Sequence, residues 1–467
     1  MLCRVLCALL FVAWTAERPG DVMYYANWRS PFEIFGPLFV SIPGVQLPAW
    51  SLLLLLVTPL CLLRPDAFRK RAWPMDAAIL VSLATILLTF VWGLLRGGSA
   101  YQSYYQLRSF LTALLVGALL LSVVRTRRDL KVLGLTVLAA ALVRGTLASY
   151  FFIVHVWGQD LHPYPMFMTS HADSLLFVSG VLVAVAWALA RMTWGAWLLA
   201  ALVFVHLIVA MKVNNRRLAW LELVCILAFA YLLAWGNRRL RRRLNLCLVL
   251  AAPLLVVYVV VGWGREGPLF APLRALSTTS GSGVVDPSTE ARDEENVNLV
   301  YTFQRNPLLG TGWGRPYQEV SSRYTPGLTP YFQQYPYLPH NSLLGVIAFT
   351  GLAGMFGIWL VVPMTAFLAA RAYRHATSSV DRAAAMAAFC ILPAYGVDSF
   401  GDIGFQGLTS GLLLAVAMTA AGKVSAWTEA WPSSRGAARR GPRASAGWEH
   451  EPPRAAGASP DVRLVDG

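Results

Sequence analysis

The doublet Arg216–Arg217, in the stretch "KVNNRRLAW", lies between two long apolar runs. A guanidinium group carries a planar fork of N–H donors that matches phosphate oxygens. Arg217 also begins an apolar helix, where free backbone N–H groups favour an anion. The doublet is therefore a candidate anion site, although arginines at a membrane boundary also serve as snorkelling anchors.

A second polar pair, His340 and Asn341, follows Pro339 and precedes an apolar run. The pair is expected at the outer end of a membrane helix. A lone histidine in such a place is more often a hydrogen-bonded bystander than a catalyst. Its position directly after the only large outer loop nevertheless makes it a candidate site residue. Within the apolar run, Gly351 and Gly354 would allow close helix packing.

The segment 287–314 has the pattern of a helix followed by a glycine turn. Ser288 or Thr289 can cap a helix that has acidic residues in its first turn, and Pro307 stops it. We expect this helix to lie on the outer membrane surface. The glycines of the turn after this helix could bind phosphate through their backbone, but a turn with only a structural role is the favoured interpretation. Its candidate secondary contacts to phosphate are Gly310, Gly312, Arg305 and Arg315.

Three further arginines lie inside or at the outer ends of apolar runs, and their positions allow them to line a groove for diphosphate or glycan. A charge inside a membrane span is expensive and usually functional or paired. Each of the three is individually more consistent with a structural role. The three arginines are Arg96, Arg108 and Arg144.

Two acidic residues on the outer side, Asp398 and Asp402, are interpreted as polar residues of a short loop.

The elements that carry these residues are membrane helices. The chain has 467 residues, of which 57% are hydrophobic and 13% charged, and its mean hydropathy is +0.54. Soluble domains carry roughly 25% charged residues. The fold class predicted is an all-α polytopic membrane protein. The net charge of +15 is attributed to basic residues that orient the membrane helices, so no nucleic-acid partner is expected.

Apolar periodicity predicts about twelve transmembrane helices. The segment 32–43 is short and proline-rich and is expected to be re-entrant or interfacial, and the first apolar run is interpreted as a retained helix rather than a cleaved signal. The predicted spans are 3–16, 46–63, 76–95, 107–124, 130–155, 173–190, 194–212, 217–235, 245–262, 341–369, 383–398 and 405–421.

The domain organisation follows from these spans. About nine membrane helices occupy residues 1–262, a large periplasmic loop with an interfacial helix and a glycine turn occupies 263–339, and about three helices occupy 340–422. Residues 423–467 are expected to be a disordered cytoplasmic tail. Basic residues recur in alternate loops, which predicts that both termini are cytoplasmic and that Arg216 and Arg217 are on the outer side. Neither a cysteine pattern nor a carboxylate pattern for a metal site is evident.

The run from Lys212 to Gly354 resembles the bacterial O-antigen ligase and O-antigen polymerase superfamily. The matching motifs are "NNRRLAW" at a helix start, a large loop with an arginine about fifteen residues before "NPLLGTGWG", and then "HNSLL" followed by "GLAG". They occur in the order that the family shows. The resemblance covers about a third of the chain.

The resemblance implies a GT-C-like fold and a glycosyltransferase that needs neither a cofactor nor a metal. Such enzymes transfer glycan from undecaprenyl diphosphate to an acceptor hydroxyl at the periplasmic face of the bacterial inner membrane. The carrier-linked oligosaccharide and the bilayer are the expected partners, and a chain-length regulator and a flippase are further candidates. The resemblance implies that Arg216 or Arg217, with Arg217 preferred, acts with Arg292 on the diphosphate, and that His340 is a base or a binding residue.

The resemblance leaves the acceptor open. A polymerase of a surface or exported polysaccharide, which adds the chain to another carrier-linked repeat, is favoured over an O-antigen ligase that uses lipid A core. A protein O-oligosaccharyltransferase is a third option. A multi-helix transporter is the alternative from a different class, but it would normally show repeats between its halves, and none is evident.

Overall fold

The computed structural model describes residues 2–16, 49–63, 70–161, 167–263, 265, 270, 273, 287–320 and 336–431, which are helices and connections without strands. Eleven of the twelve predicted spans each coincide with one described helix, the span 341–369 covers two, and the predicted loop helix is present as well. The helices are α1 (Leu2–Thr15), α2 (Ala49–Leu62), α3 (Trp73–Leu95), α4 (Ala100–Val123), α5 (Arg127–Phe151), α6 (Asp173–Arg191), α7 (Trp194–Val213), α8 (Leu218–Ala234), α9 (Arg238–Gly262), α10 (Pro287–Arg305), α11 (Ser342–Trp359), α12 (Val361–His375), α13 (Ser379–Gly401) and α14 (Leu408–Trp427).

Eight helical stretches among the described residues are long and apolar enough to cross a membrane, which makes this a multi-pass membrane protein. Helix α5 belongs to this set together with the π-helical turn Phe152–Val156, and α11 and α12 count as one stretch. Helices α1 and α8 and residues 53–62 of α2 are apolar but shorter. The total of twelve spans, the side of each terminus and the GT-C-like likeness remain predictions. The segment 32–43 and the tail after Trp431 lie outside the described residues.

The interior is formed by helices that pack closely on one another. Helix α14 packs against α4, and α13 packs against α6, α8 and α14. Phe405, in the turn between α13 and α14, stacks on Phe110 of α4 with ring centroids 4.3 Å apart. Three chain segments converge at one end of these helices through the contacts of Arg216 and Ser342 with Asp402: the start of α8, the end of α13 and the start of α11. We call this end, which holds Arg216, Asp402 and His340, the site end.

Helix α11 is broken at Gly351, which has φ 62° and ψ −165°. The break leaves backbone N–H and C=O groups without partners inside the helix, and the backbone of the glycine turn that follows α10 forms hydrogen bonds with these groups. The amides of Thr311 and Gly312 donate to the carbonyls of Ala348 and Phe349, and the amides of Leu352 and Ala353 donate to the carbonyls of Pro307 and Leu308. Gly351 therefore accommodates the loop backbone instead of the neighbouring helix that the sequence suggested.

Candidate functional site

Arg216 lies in the turn between α7 and α8 and points into the protein. Its side chain is 12% exposed and donates to the carboxylate of Asp402. Its guanidinium also lies 4.6 Å from the centre of the Phe167 ring. The buried side chain of Asn214 fixes the same turn, since it accepts hydrogen bonds from the amides of Met168 (3.1 Å) and Thr169 (2.9 Å). Arg217, by contrast, is exposed.

Asp402 ends α13 and holds Arg216 in place. One carboxylate oxygen accepts a 2.9 Å hydrogen bond from the amide of Ile403, and the other lies 3.7 Å from Nδ1 of His171. Burial alone would raise the pKa of Asp402, but the contact with His171 and the charge of Arg216 outweigh burial and hold the pKa well below its ordinary value. Asp402 is therefore a permanent anion beside Arg216 at neutral pH.

Two more carboxyl groups lie beneath this pair. Asp398, in the last turn of α13, accepts a 2.6 Å hydrogen bond from the hydroxyl of Ser410. Glu222, in α8, is fully buried, and neither carboxyl oxygen has a hydrogen-bond partner among the described residues. Asp402 lies in the short turn after α13, as the sequence predicted, but Asp398 lies within the helix, so its interpretation as a loop residue is wrong; both are buried and Asp402 pairs with Arg216. Two carboxyl groups four residues apart at the outer end of a span were the available sequence signal.

Arg292, in α10, lies close enough to Arg216 to act on its charge. Burial lowers the pKa of the Arg216 guanidinium, Asp402 raises it, and the positive charge of Arg292 lowers it again, with a net decrease. Arg292 itself is half-buried. Two guanidinium groups whose positive charges repel each other favour a bound anion nearby. Arg292 thus lies within electrostatic range of Arg216, although the two are 76 positions apart in the sequence.

His340 contacts α10 at Glu295, about one helical turn after Arg292. Its backbone amide donates to Oε2 of Glu295 at 2.8 Å, and its ring Nδ1 lies 3.7 Å from Oε1 of the same carboxylate. The side chain of Asn341 donates to Oδ1 of Asn296 at 3.0 Å and caps α11 by accepting from the amide of Leu344 at 3.1 Å. The carboxylate of Glu295 is buried, so it orients the histidine from inside the protein.

A direct hydrogen bond joins the histidine segment to the arginine pair. The hydroxyl of Ser342 donates to the backbone carbonyl of Asp402 at 3.2 Å. At the site end, the ion pair of Arg216 with Asp402 therefore lies next to the contact of His340 with Glu295. Among the described residues, no three His, Cys, Asp or Glu side chains form a group that could hold a metal ion.

The amides of Gly310 and Gly312 in the glycine turn are already hydrogen-bonded to protein. The amide of Gly310 donates to the carbonyl of Asn306, and that of Gly312 donates to Phe349. A Cβ atom on Gly312 would lie 2.2 Å from the Cα of Gly93, so the turn also packs directly on α3. These contacts argue against the suggested contact of Gly310 and Gly312 with phosphate and give the turn a positioning role.

The remaining predicted contacts are dispersed. Arg144 is buried and makes an ion pair with Asp173, with Nε–O distances of 3.0 and 3.1 Å, so its charge is already matched by protein. Arg108 lies over the ring of Tyr105 at 4.5 Å. Arg305 is exposed and donates to the hydroxyl of Tyr301 at 2.7 Å. Arg315 is half-buried.

The family comparison addresses the part of the chain that supplies most of these residues. Residues 202–359, from within α7 to the end of α11, match the family model described as O-antigen ligase (Wzy_C). The chain contains an O-antigen ligase family domain. This confirms the resemblance inferred from "NNRRLAW", "NPLLGTGWG" and "HNSLL". No curated protein matches the chain.

The ligase-family domain includes Arg216, Glu222, Arg292, Glu295 and His340. Asp402 and His171 lie outside the matched stretch. The domain therefore contributes the two arginines and the histidine, whereas turns on both sides of it in the sequence contribute His171 and Asp402 beside Arg216. The family is one of membrane enzymes that act as ligases or polymerases.

Proposed function

We propose that the protein transfers glycan from an undecaprenyl-diphosphate carrier to an acceptor hydroxyl at the site end. The observation that carries this proposal is the convergence of Arg216, Arg292 and His340, from three separate parts of the ligase-family domain, at one end of the helices. Two cations suit a diphosphate, and a histidine held by a buried carboxylate suits a hydroxyl group that must lose a proton.

In the proposed reaction, the acceptor oxygen attacks the anomeric carbon while the bond from that carbon to the diphosphate oxygen breaks. Undecaprenyl diphosphate leaves with the bonding electron pair. Negative charge grows on the diphosphate as the bond breaks, so Arg216 and Arg292 stabilise the transition state more than the ground state. Asp402 holds Arg216 by only part of its fork of donors, which leaves other N–H groups for phosphate oxygens.

The proton of the acceptor hydroxyl passes to the His340 ring. The carboxylate of Glu295, 3.7 Å from Nδ1, stabilises the positive imidazolium that results. A single displacement at the anomeric carbon inverts its configuration. The site proposed here lies on the periplasmic side of the inner membrane, as the distribution of basic residues predicts.

For the acceptor, we favour another carrier-linked repeat, which makes the protein a polymerase of a surface or exported polysaccharide. The second candidate is ligation of a finished chain to lipid A core, and the family description, O-antigen ligase, favours it. The two reactions share the donor and the leaving group and differ only in the hydroxyl that attacks. The flippase and the chain-length regulator of such a pathway would be partners of the polymerase.

Deletion of the gene separates the candidates through the carrier-linked glycans that accumulate. Single repeats would support the polymerase, and long chains that fail to reach lipid A core would support the ligase. Unchanged glycans would overturn both. In proteoliposomes with carrier-linked oligosaccharide, His340→Ala and Arg292→Ala should each abolish transfer, whereas Arg374→Ala, at the far end of α12, serves as the matched control. Full activity in both site variants would remove the proposed site.

A further inference from the structure

His171 lies in the segment before α6, and hydrogen bonds hold this segment against the end of α7. Besides accepting from the two amides already described, the buried side chain of Asn214 donates to the carbonyl of Ser170 at 3.4 Å. The amide of Ser170 in turn donates to the carboxylate of Asp173 at 3.1 Å. The backbone that carries His171 is therefore fixed by protein contacts, which lowers the cost of binding a ligand there.

The ring of His171 shares both contacts of Arg216. Its Nδ1 lies 3.7 Å from Oδ2 of Asp402, the same oxygen that accepts from the Arg216 guanidinium. The centre of the imidazole ring also lies 4.4 Å from that of Phe167, the ring against which Arg216 packs. The His171 side chain is 50% exposed, so a ligand can approach it. A phosphate group that binds Arg216 is therefore within reach of the imidazole.

The charges at the site end leave room for a third cation. Each phosphate of a carrier-linked donor is negatively charged, whereas Asp402 offsets part of the positive charge that Arg216 and Arg292 supply. The stretch 157–173, which includes His171, contains no lysine or arginine. Histidine is the side chain whose charge ordinarily changes between about pH 5 and pH 8. Protonation of His171 would therefore add positive charge beside Asp402 near neutral pH.

The neighbouring groups determine when His171 takes up this proton. An imidazolium is stabilised by nearby anions and opposed by nearby cations. In the free protein Asp402 favours the proton and Arg216 opposes it. A bound diphosphate adds anions, so binding and proton uptake reinforce each other. The other charged groups on the helices around this corner are all buried and are Asp398 of α13, Glu222 of α8, Asp173 of α6 and Arg144 of α5.

We propose that His171 is a further binding residue for the diphosphate, and that it takes up a proton from solvent when the donor binds. One N–H of the imidazolium then faces the Asp402 carboxylate, and the other donates to a phosphate oxygen. The inference rests on the proposed glycan transfer and adds a third, pH-dependent cation to the two arginines. The donor and the released carrier should accordingly bind more tightly as the pH falls.

Binding of undecaprenyl diphosphate, the leaving group of the proposed reaction, to the full chain in detergent tests this role. Dissociation constants are measured by microscale thermophoresis at about pH 6 and pH 8, on either side of the usual titration of histidine. Comparison of a variant with the wild type at each pH cancels the titration of the lipid itself. Uptake of one proton changes an affinity by up to about tenfold per pH unit, so we expect the loss of affinity in His171→Gln to be at least about fivefold larger at pH 6 than at pH 8.

The matched control is His375→Gln, which removes an exposed histidine at the end of α12 and should bind the carrier as the wild type does at both pH values. His171→Lys supplies a permanent cation and should bind at pH 8 at least as tightly as the wild type. Gel filtration and the melting temperature of each variant confirm that it is folded.

Three results would separate this inference from the proposed function. A loss in His171→Gln that is equal at both pH values, or a His171→Lys variant as weak as His171→Gln, would overturn the role of His171 alone. A pH dependence that disappears in His340→Gln and persists in His171→Gln would assign the proton to His340 and contradict the inference. A wild-type protein that binds no undecaprenyl diphosphate at either pH would overturn the proposed glycan transfer as well.

Discussion

Arg216 and Asp402 form an ion pair across 186 residues of chain, and this pair joins the start of α8 to the end of α13. The arginine belongs to the ligase-family domain, and the aspartate lies beyond it. Because Arg216 also lies within the field of Arg292, the aspartate offsets repulsion that would otherwise oppose the approach of the two cations. Asp402 is thus a positioning residue for the proposed diphosphate site.

Replacement of Asp402 by asparagine should test this role. Asp402→Asn keeps the size of the side chain but removes the negative charge, so Arg216 loses its fixed orientation. We expect transfer to fall about 100-fold, at the lower limit of the effect of removing one transition-state donor. The measurement is the turnover of carrier-linked oligosaccharide in proteoliposomes. Asp293→Asn, an exposed carboxylate on α10, is the matched control, and equal losses in the two variants would contradict the assignment.

The depressed pKa of Asp402 also predicts how stability changes with pH. The pKa in the folded protein is below the value of about 3.9 for a free aspartate. The pair therefore contributes stability that is fully present above the unfolded pKa and is lost as the pH falls below it. The difference in melting temperature between wild type and Asp402→Asn should accordingly stay constant from pH 7 to about pH 5 and begin to narrow only as the pH falls below about 4. A gap that widens on acidification would show that the carboxylate is not stabilised as an anion.

The arginine doublet gives a third prediction, because its two members occupy different environments. Arg216 is buried against Asp402 and Phe167, whereas Arg217 is exposed. Arg216→Ala should reduce turnover about 100-fold to 1,000-fold, and Arg217→Ala should reduce it less than tenfold. Arg216→Lys should also lose most activity, because an ammonium cannot replace the planar fork. The reverse order of the two alanine variants would restore the preference for Arg217 that the sequence suggested.

The sequence predicted the helices because long apolar runs of bilayer length carry the signal locally. It also indicated that Arg216, Arg292 and His340 share one side, because alternation of basic loops orients every helix. It could not predict the partners of these residues. Asp402 meets Arg216, and Glu295 meets His340, only through packing of α13 on α8 and of α10 on α11, and no local periodicity encodes such pairings.

The break in α11 was hidden for a related reason. The stretch around Gly351 is apolar and has no proline, so it is typical of a continuous span. The helix can break there because a distant loop, residues 307–312, donates to and accepts from the freed backbone groups. The local hydrophobic pattern around Gly351 contains no information about hydrogen bonds to a loop that is distant in the sequence. The same long-range contact engages the amide of Gly312, which donates to the carbonyl of Phe349, whereas the amide of Gly310 donates locally to the carbonyl of Asn306.

The docked glycine turn predicts a large effect of a small substitution. In Gly351→Ala, the new Cβ would lie 2.3 Å from the carbonyl carbon and oxygen of Leu308, at a φ of +62° that alanine avoids. We expect a loss of about 2–4 kcal/mol in the free energy of unfolding, from strain and from displacement of the turn. Thermal unfolding in detergent measures it. Gly396→Ala is the control, because its Cβ meets nothing within 4 Å and the substitution in a helix is favourable by about 1 kcal/mol. Similar melting temperatures for the two variants would argue against the docked turn.

Arg144 and Asp173 provide the last prediction, since the pair is fully buried and separate from the proposed diphosphate contacts. Removal of one partner leaves an unmatched buried charge, which typically costs about 3–5 kcal/mol, whereas replacement of both partners can be nearly neutral. Arg144→Met and Asp173→Asn should each lower the melting temperature, and the double variant should recover more than half of the loss. The folded double variant should also retain glycan transfer within about threefold. Loss of a purely structural pair would reduce the amount of folded protein but leave the turnover per folded molecule unchanged. A double variant that folds as well as the wild type but transfers no glycan would therefore show that Arg144 contacts the substrate.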